Sequence, residues 1–243
     1  MPPPNARLQR VLVTGGTRGI GLATAQKLAS AGFEVWVSGR GSGESISSQG
    51  HTFHYLQADF AIPEEMAQLC ENVRDIGFDA LVNNAGINRV APLLELSEED
   101  FDLVFSVNVR AAFQLTRAVI PKMLDAGYGR ICNVSSIWGL KSISGRAAYS
   151  TSKFALRGLT AAIASEFAAR GILANCVAPG FIDTELTKSV LGDAGIQEIS
   201  KRIPIQRLGG ADEIAEMIAW LVSANNSYMT GQTVTVDGGF LGA

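Results

Sequence analysis

Tyr149 and Lys153 stand four residues apart in the run Tyr149-Ser150-Thr151-Ser152-Lys153. On a helix that spacing puts both on one face, so both can point into one cleft. A phenol beside an ammonium group is a proton donor whose ordinary pKa near ~10 should fall, because a neighbouring positive charge favours the phenolate. The same pair would also suit two solvated surface positions, so the surrounding chain has to decide. Ser136 lies thirteen residues before Tyr149, at the end of the predicted strand 129–134. Open parallel sheets place their active sites at such strand ends. No Gly-x-Ser-x-Gly elbow and no neighbouring histidine supports a serine nucleophile, so the better role is a hydrogen bond to a substrate oxygen. Asn108 is polar among small and apolar neighbours. It reads equally as a core amide or as the holder of a water near Lys153.

A second constellation is Thr14-Gly15-Gly16-Thr17-Arg18-Gly19-Ile20-Gly21, between the apolar run Val11-Leu12-Val13 and the helical pattern 22–31. Glycines between a strand and a helix let the backbone approach a pyrophosphate, and the helix N-terminus offers free N–H groups with a favourable dipole. The spacing is not that of a P-loop, and its Lys-Ser/Thr pair is missing, which disfavours ATP and GTP. A dinucleotide fold usually ends its second strand with an acid that binds the adenosine ribose. This chain has Ser38-Gly39-Arg40 there. Arg40 and Arg18 can supply positive charge and Ser38 a hydroxyl, so NADP is favoured over NAD. Asp59 either accepts a hydrogen bond from an adenine amine or caps the next element. Asn83-Asn84-Ala85-Gly86 ends the next strand with small residues that allow close approach and amides that brace turns.

The elements needed to hold these groups follow from the pattern. Apolar runs at 10–14, 33–38, 53–56, 80–82, 129–134, 172–177 and 233–236 read as strands. Helices are expected at 22–31, 63–76, 101–107, 108–124, 149–169 and 211–224. The Gly- and Ser-rich stretch 41–50 reads as a loop or a poor short helix, and 181–210 as helices covering the cleft. Alternation of strands and helices makes this an α/β protein: a three-layer Rossmann-like fold with a doubly wound parallel sheet of about seven strands. It is read as one domain over 1–243, with 181–210 as a substrate-covering segment inside it.

Composition narrows the function classes. A net charge of −3 gives no electrostatic argument for nucleic acid or an anionic membrane. Two histidines are too few for a conventional zinc cluster, and Cys70, Cys132 and Cys176 have no metal or disulfide spacing, so no metal is expected and a reducing cytoplasm is the expected setting. No signal-peptide hydrophobic region and no stretch long enough to span a bilayer is read.

Taken together, the glycine-rich turn, Asn83-Asn84-Ala85-Gly86, Asn108, Ser136, Tyr149 with Lys153, and Pro179-Gly180 make the sequence resemble the short-chain dehydrogenase/reductase family over nearly its whole length. Pro204-Ile205-Gln206-Arg207-Leu208-Gly209 and the run 230–239 bring it closest to bacterial 3-oxoacyl-(acyl-carrier-protein) reductases. The resemblance implies catalytic roles for Asn108, Ser136, Tyr149 and Lys153. Tyr149 would donate a proton to the carbonyl oxygen as hydride arrives from nicotinamide, with Lys153 on the nicotinamide ribose, Ser136 on the carbonyl oxygen and Asn108 anchoring a relay water. It also implies an NADP(H) site of Gly15, Thr17, Arg18, Gly19, Ile20, Gly21, Ser38, Arg40, Asp59, Phe60, Asn83, Ala85, Gly86, Tyr149, Lys153, Pro179, Gly180, Ile182 and Thr184.

The implied substrate wall is Ser136, Trp138, Leu140, Tyr149, Phe181 and Leu186. It offers aromatic and branched surface with no arginine clamp, Lys141 and Arg146 being read as solvated. That suits a 3-oxoacyl thioester, or alternatively a small, cyclic or sugar ketone. A protein that only senses the nucleotide is the competing class. The reductases carry two basic positions for an acidic carrier protein. Arg170 matches one, while Gly127 occupies the other, with Arg130 nearby. Self-association is expected, since the 108–124 and 149–169 helices carry more apolar surface than one sheet face needs; the resemblance implies a homotetramer, or at least a dimer.

Overall fold

In the computed structural model, which describes residues 8–242 apart from the side chain of Leu186, the chain alternates strand and helix as the pattern requires. The first half runs β1 (Arg10–Thr14), α1 (Gly19–Ser30), β2 (Glu34–Gly39), β3 (Ser45–Ser48), β4 (His51–Gln57), α2 (Pro63–Ile76) and β5 (Ala80–Asn83). The second half runs α3 (Glu98–Phe105), a π turn (Ser106–Arg110), α4 (Ala111–Ala126), β6 (Gly129–Val134), α5 (Ala147–Phe167), β7 (Ile172–Pro179), α6 (Glu185–Arg202), α7 (Ala211–Val222) and β8 (Thr233–Val236). The sheet order is β3-β4-β2-β1-β5-β6-β7-β8. All pairings are parallel except β3 with β4. The strand order reverses between β1 and β5, which opens a crevice at the carboxyl ends of those strands.

Strand alternation divides the core in two. Val11, Val13, Val82, Cys132 and Val134 face α1 and α7, while Leu12, Leu81 and Ile131 face α2, α4 and the far half of α5. The central strands are buried on both faces, which is why they read as continuous apolar runs.

Two expectations need correction. The 41–50 stretch is not a loop or helix throughout: Ser45-Ile46-Ser47-Ser48 forms an eighth strand, turned back antiparallel onto β4. The 98–126 run is one helical rod. It is long and apolar enough to meet the length and composition of a bilayer span, which the sequence pattern did not suggest. Its inner face, including Leu115, Ala118, Val119 and Met123, is built into the core. The π turn within it carries Asn108 and joins the two helices read as separate.

Candidate active site

The cleft begins where β1 ends. Thr14 is 1 % exposed and its hydroxyl accepts from the backbone N–H groups of Asn84 and Ala85, each at 3.0 Å. The Asn84 amide donates to the carbonyl oxygens of Thr14 and Gly15 at 2.9 and 3.3 Å. These bonds tie the glycine-rich turn to the end of β5. Two of its glycines leave no room for a side chain: a Cβ on Gly16 would meet Val37 at 2.6 Å, and one on Gly21 would run into the Gly15 carbonyl oxygen. α1 then starts with no acidic residue in its first turn and no side-chain cap, leaving its N–H groups for an anion.

A cleft of about 970 Å³ runs from this turn to Tyr149. At its nucleotide end lie Ser38, Arg40, Asp59 and Phe60. Ser38 is fully buried and its hydroxyl has no partner among the described residues. A buried unpaired hydroxyl costs free energy unless a ligand satisfies it. Arg40 is exposed beside it, and Arg18 pairs with Glu185 at 3.2 Å across the cleft mouth. Asp59 accepts from the N–H of Ala61 at 2.9 Å in the turn ahead of α2 and lines the cleft; α2 itself has no side-chain cap, so Asp59 does not cap it. The glycine cradle, free helix N-terminus, unpaired Ser38 and two arginines together fit a dinucleotide with a phosphate on its adenosine ribose.

The catalytic end is built from three elements. Ser136 follows β6 directly and its hydroxyl hydrogen-bonds Tyr149 of α5, while also accepting from Trp138 N–H at 3.1 Å. Lys153 is 3 % exposed, and its ammonium donates to the Val134 carbonyl at 2.8 Å, 5.6 Å from the Tyr149 ring centre. Burial lowers its pKa to about 8. Burial pushes the Tyr149 phenol up, with the Ser136 hydrogen bond and the charge of Arg146 pulling against it. The net direction is opposite to the fall expected from Lys153 alone, and it keeps the phenol protonated near neutral pH. Arg146 was expected to be solvated and is only 9 % exposed.

Asn108 does not line the cleft. Its Oδ1 accepts from Ile87 N–H at 2.8 Å, and its Nδ2 donates to the Ile87 carbonyl and to Ser152, both at 2.9 Å. A Cβ on Gly86 would sit 3.3 Å from both the Asn108 Oδ1 and the Lys153 ammonium, so that glycine keeps the gap between them open.

Of the expected cofactor residues, all but Asn83 line the cleft. Asn83 is corrected to a core amide, donating to Asn133 at 2.8 Å beneath the sheet ends; its neighbour Asn84 takes the place at the cleft. Ile87 and Val107 also line it and were not anticipated. On the substrate side, Trp138 and Phe181 pack edge-on at 6.0 Å, and Phe240 joins both at 6.3 and 5.1 Å. This trio and Leu140 are not among the cleft-lining residues, although Trp138 and Phe181 each lie within two residues of one. Phe240 had no sequence signal beyond the Gly238-Gly239 pair, whose positive φ angles turn the chain back. The Leu186 side chain lies outside the described residues.

Comparison with known proteins agrees with this geometry. Residues 15–241 match the family model described as Enoyl-(Acyl carrier protein) reductase. The chain is 39% identical over 237 residues to the 3-oxoacyl-(acyl-carrier-protein) reductase FabG of Aquifex aeolicus (strain VF5), covering 94% of this chain and 95% of that protein. It is 37% identical to the acetoacetyl-CoA reductase of Cupriavidus necator, covering 93% and 96%. The solved gluconate 5-dehydrogenase from Burkholderia cenocepacia J2315, in complex with NADP and tartrate, superposes with a TM-score of 0.90 at 33% identity, covering 97% of this chain and 96% of that one. With the cleft, the Ser136, Tyr149 and Lys153 cluster and these matches in agreement, the chain belongs to the short-chain dehydrogenase/reductase family.

Proposed function

We propose that the protein is an NADPH-dependent ketone reductase that converts a 3-oxoacyl thioester to its 3-hydroxyacyl thioester. The observation that carries the reading is the Ser136–Tyr149–Lys153 cluster at one end of a cleft whose other end presents an unpaired buried Ser38 hydroxyl beside Arg40. FabG and acetoacetyl-CoA reductase relatives support the thioester.

When bound, NADPH supplies the hydride. Gly15, Gly19 and the start of α1 would hold its pyrophosphate, and Ser38, Arg40 and Arg18 its ribose phosphate. Ser136 hydrogen-bonds the substrate carbonyl oxygen and fixes it against Tyr149. The Tyr149 hydroxyl donates its proton to that oxygen as negative charge develops there. Lys153 supplies positive charge and an ammonium donor to the cofactor ribose. Asn108 holds the Ile87 backbone and the π turn in place, and with it the path for a relay water. The 181–210 segment, with α6, closes over the substrate.

The carrier protein is the finer part of the proposal. Arg170 is exposed and available to an acidic partner. Arg130 is not: it is 4 % exposed and donates to the carbonyl oxygens of Asn226, Gly129 and Gly171. One docking cation supports a coenzyme A thioester at least as well as a carrier-bound one. The absence of that second charge also favours the second reading, a small, cyclic or sugar ketone. We further propose a homotetramer, supported by Phe113 of α4 and Phe154 of α5, which expose large apolar rings, and a cytoplasmic setting, supported by three free buried cysteines.

The test measures NADPH oxidation with acetoacetyl-CoA, a 3-oxoacyl carrier protein, a cyclic ketone and a keto sugar at matched concentrations. A thioester should give the highest kcat/KM. A keto sugar in first place would move the assignment to the second reading, and tight NADPH binding without turnover on any ketone would move it to a nucleotide sensor.

A further inference from the structure

Three rings from distant parts of the chain meet beside the catalytic end. Trp138 belongs to the turn after β6, Phe181 follows the Pro179-Gly180 end of β7, and Phe240 lies in the tail after β8. All three are half-buried. Each pair packs edge to face: Trp138 with Phe181 at 6.0 Å, Trp138 with Phe240 at 6.3 Å, and Phe181 with Phe240 at 5.1 Å. In that arrangement each ring restricts the orientation of the others. The rings do not line the cleft, but their neighbours do. Ser136 accepts from the Trp138 N–H at 3.1 Å, and Phe181 stands between the cleft-lining Gly180 and Ile182. The trio therefore backs the wall at the Ser136 end.

The main chain carrying these rings is held by other groups. The Ser135 hydroxyl donates to the Lys153 carbonyl at 2.9 Å, and Arg157 donates to the Gly139 carbonyl at 3.0 Å, so α5 holds the turn on both sides of Trp138. The Gly180 N–H donates to the Val236 carbonyl at 2.9 Å. In the tail, the Asp237 carboxylate accepts from the N–H groups of Gly239 and Leu241, each at 2.9 Å. A Cβ on Gly180 would meet the Asp237 Cα at 2.7 Å, so the tail lies directly on the Pro179-Gly180 turn. With the backbone fixed in this way, what the Phe240 ring adds is the direction of the other two rings.

A 3-oxoacyl thioester carries two unequal arms on its reacting carbon. The thioester arm leads to coenzyme A or a carrier protein, too large to enter, and has to leave by the open mouth of the cleft. The alkyl arm is the one that meets a closed wall. We propose that Phe240 is a specificity-determining positioning residue, whose ring pins Trp138 and Phe181 into a wall that admits only a short alkyl arm. The inference rests on the ketone reduction proposed at Ser136 and Tyr149, and it narrows the substrate class to short-chain 3-oxoacyl thioesters. A firm apolar wall discriminates by about tenfold or more for added methylenes, and a wall free to turn aside loses that discrimination.

The test compares kcat/KM for acetoacetyl-CoA and 3-oxooctanoyl-CoA at saturating NADPH with the full chain. Wild type should favour the short substrate by about tenfold or more. Phe240→Ala should shift that ratio by about tenfold towards the long one, mainly through KM, with kcat on acetoacetyl-CoA and the NADPH Kd each within about threefold of wild type. Phe240→Tyr keeps the ring and should keep the wild-type ratio. Trp138→Ala should relax the ratio as well, and adding Phe240→Ala to it should change little more, because the one residue acts through the other. If Phe240→Ala does not fold, Phe240→Leu removes the ring and retains apolar bulk. A wild type that prefers the long substrate would overturn the proposal. So would an unchanged ratio in a folded variant without the ring, a tyrosine variant that behaves like it, or fully additive effects with Trp138→Ala. Should wild type reduce neither thioester, 2-butanone and 2-octanone take their place. A ratio shifted by Phe240→Ala would then remove only the thioester assignment, and an unchanged one would overturn this inference. Turnover of no ketone would remove the proposed function and this inference with it.

Discussion

The two ends of the cleft are made in different ways. At the catalytic end, Ser136 and Lys153 are buried, Tyr149 is half-buried, and all three are bonded to groups of the sheet or of one another. At the nucleotide end Arg40 and Gly41 are exposed, Arg18 pairs with the exposed Glu185, and the buried Ser38 hydroxyl has no partner among the described residues. The first end is held in geometry by the fold before any ligand arrives. The second recognises by charge and by unsatisfied hydrogen-bonding capacity. With proton transfer on the rigid end, as proposed, and selection of the dinucleotide on the open end, either could be changed without the other.

The largest effect should come from the rigid end. Tyr149→Phe should lower kcat/KM by about a thousandfold while NADPH affinity stays within roughly threefold of wild type. Steady-state rates and a fluorescence titration measure the two halves, and a large loss of NADPH affinity would show that the ends are not separable. At the open end, Arg40→Asp should reduce the kcat/KM preference for NADPH over NADH by about 10- to 100-fold, since a carboxylate would then face the ribose phosphate. Little change in kcat at saturating cofactor is expected, and an unchanged preference would remove Arg40 from the phosphate site.

Lys153 gives a subtler comparison, read in stability rather than rate. Its folded pKa is depressed from the ordinary 10.5 to about 8. Below about pH 8 both folded and unfolded chains carry the proton, and burial of the charge is fully unfavourable. Between 8 and 10.5 the unfolded chain binds more protons, so stability rises with pH. The stability advantage of Lys153→Met over wild type should therefore shrink by roughly 2–3 kcal/mol across that window. Denaturant melts at pH 7.5 and 10 measure it, and an unchanged difference would mean that Lys153 is not desolvated. The smallest effect is ionic. Raising salt from 50 to 200 mM should increase the NADPH KM by about two- to threefold and leave kcat nearly unchanged, because exposed charges are screened and buried ones are not.

The sequence disclosed most of this architecture because the central strands are buried on both faces and helices such as 63–76 carry a clear start. The Tyr149–Lys153 pair and Ser136 stood out by helical spacing and a strand end, and the roles proposed for them came from the family resemblance. What escaped depended on partners far along the chain. Ser45-Ile46-Ser47-Ser48 is polar and becomes a strand only through β4. Asn83 and Asn84 are adjacent amides, and only the pleat decides that one enters the core and the other the cleft. Arg146 looked like a surface residue because burial of an unpaired cation is the exception. Phe240 reaches Trp138 across about a hundred residues of chain, a contact no local pattern encodes.

The β3 hairpin bears on how the molecule behaves among its own copies. Without it, β4 would present a full row of unpaired N–H and C=O groups, a template on which another chain could add a strand. β3 covers that row over the four residues 51–54 and offers outward only a short, serine-rich border. Tyr55 secures the turn leading into it, its hydroxyl donating to the Gly41 carbonyl at 3.0 Å and its N–H to that of Glu44 at 2.9 Å. The segment therefore reduces this edge of the sheet to four residues, fewer positions against which another strand could pair, while β8 forms the opposite edge.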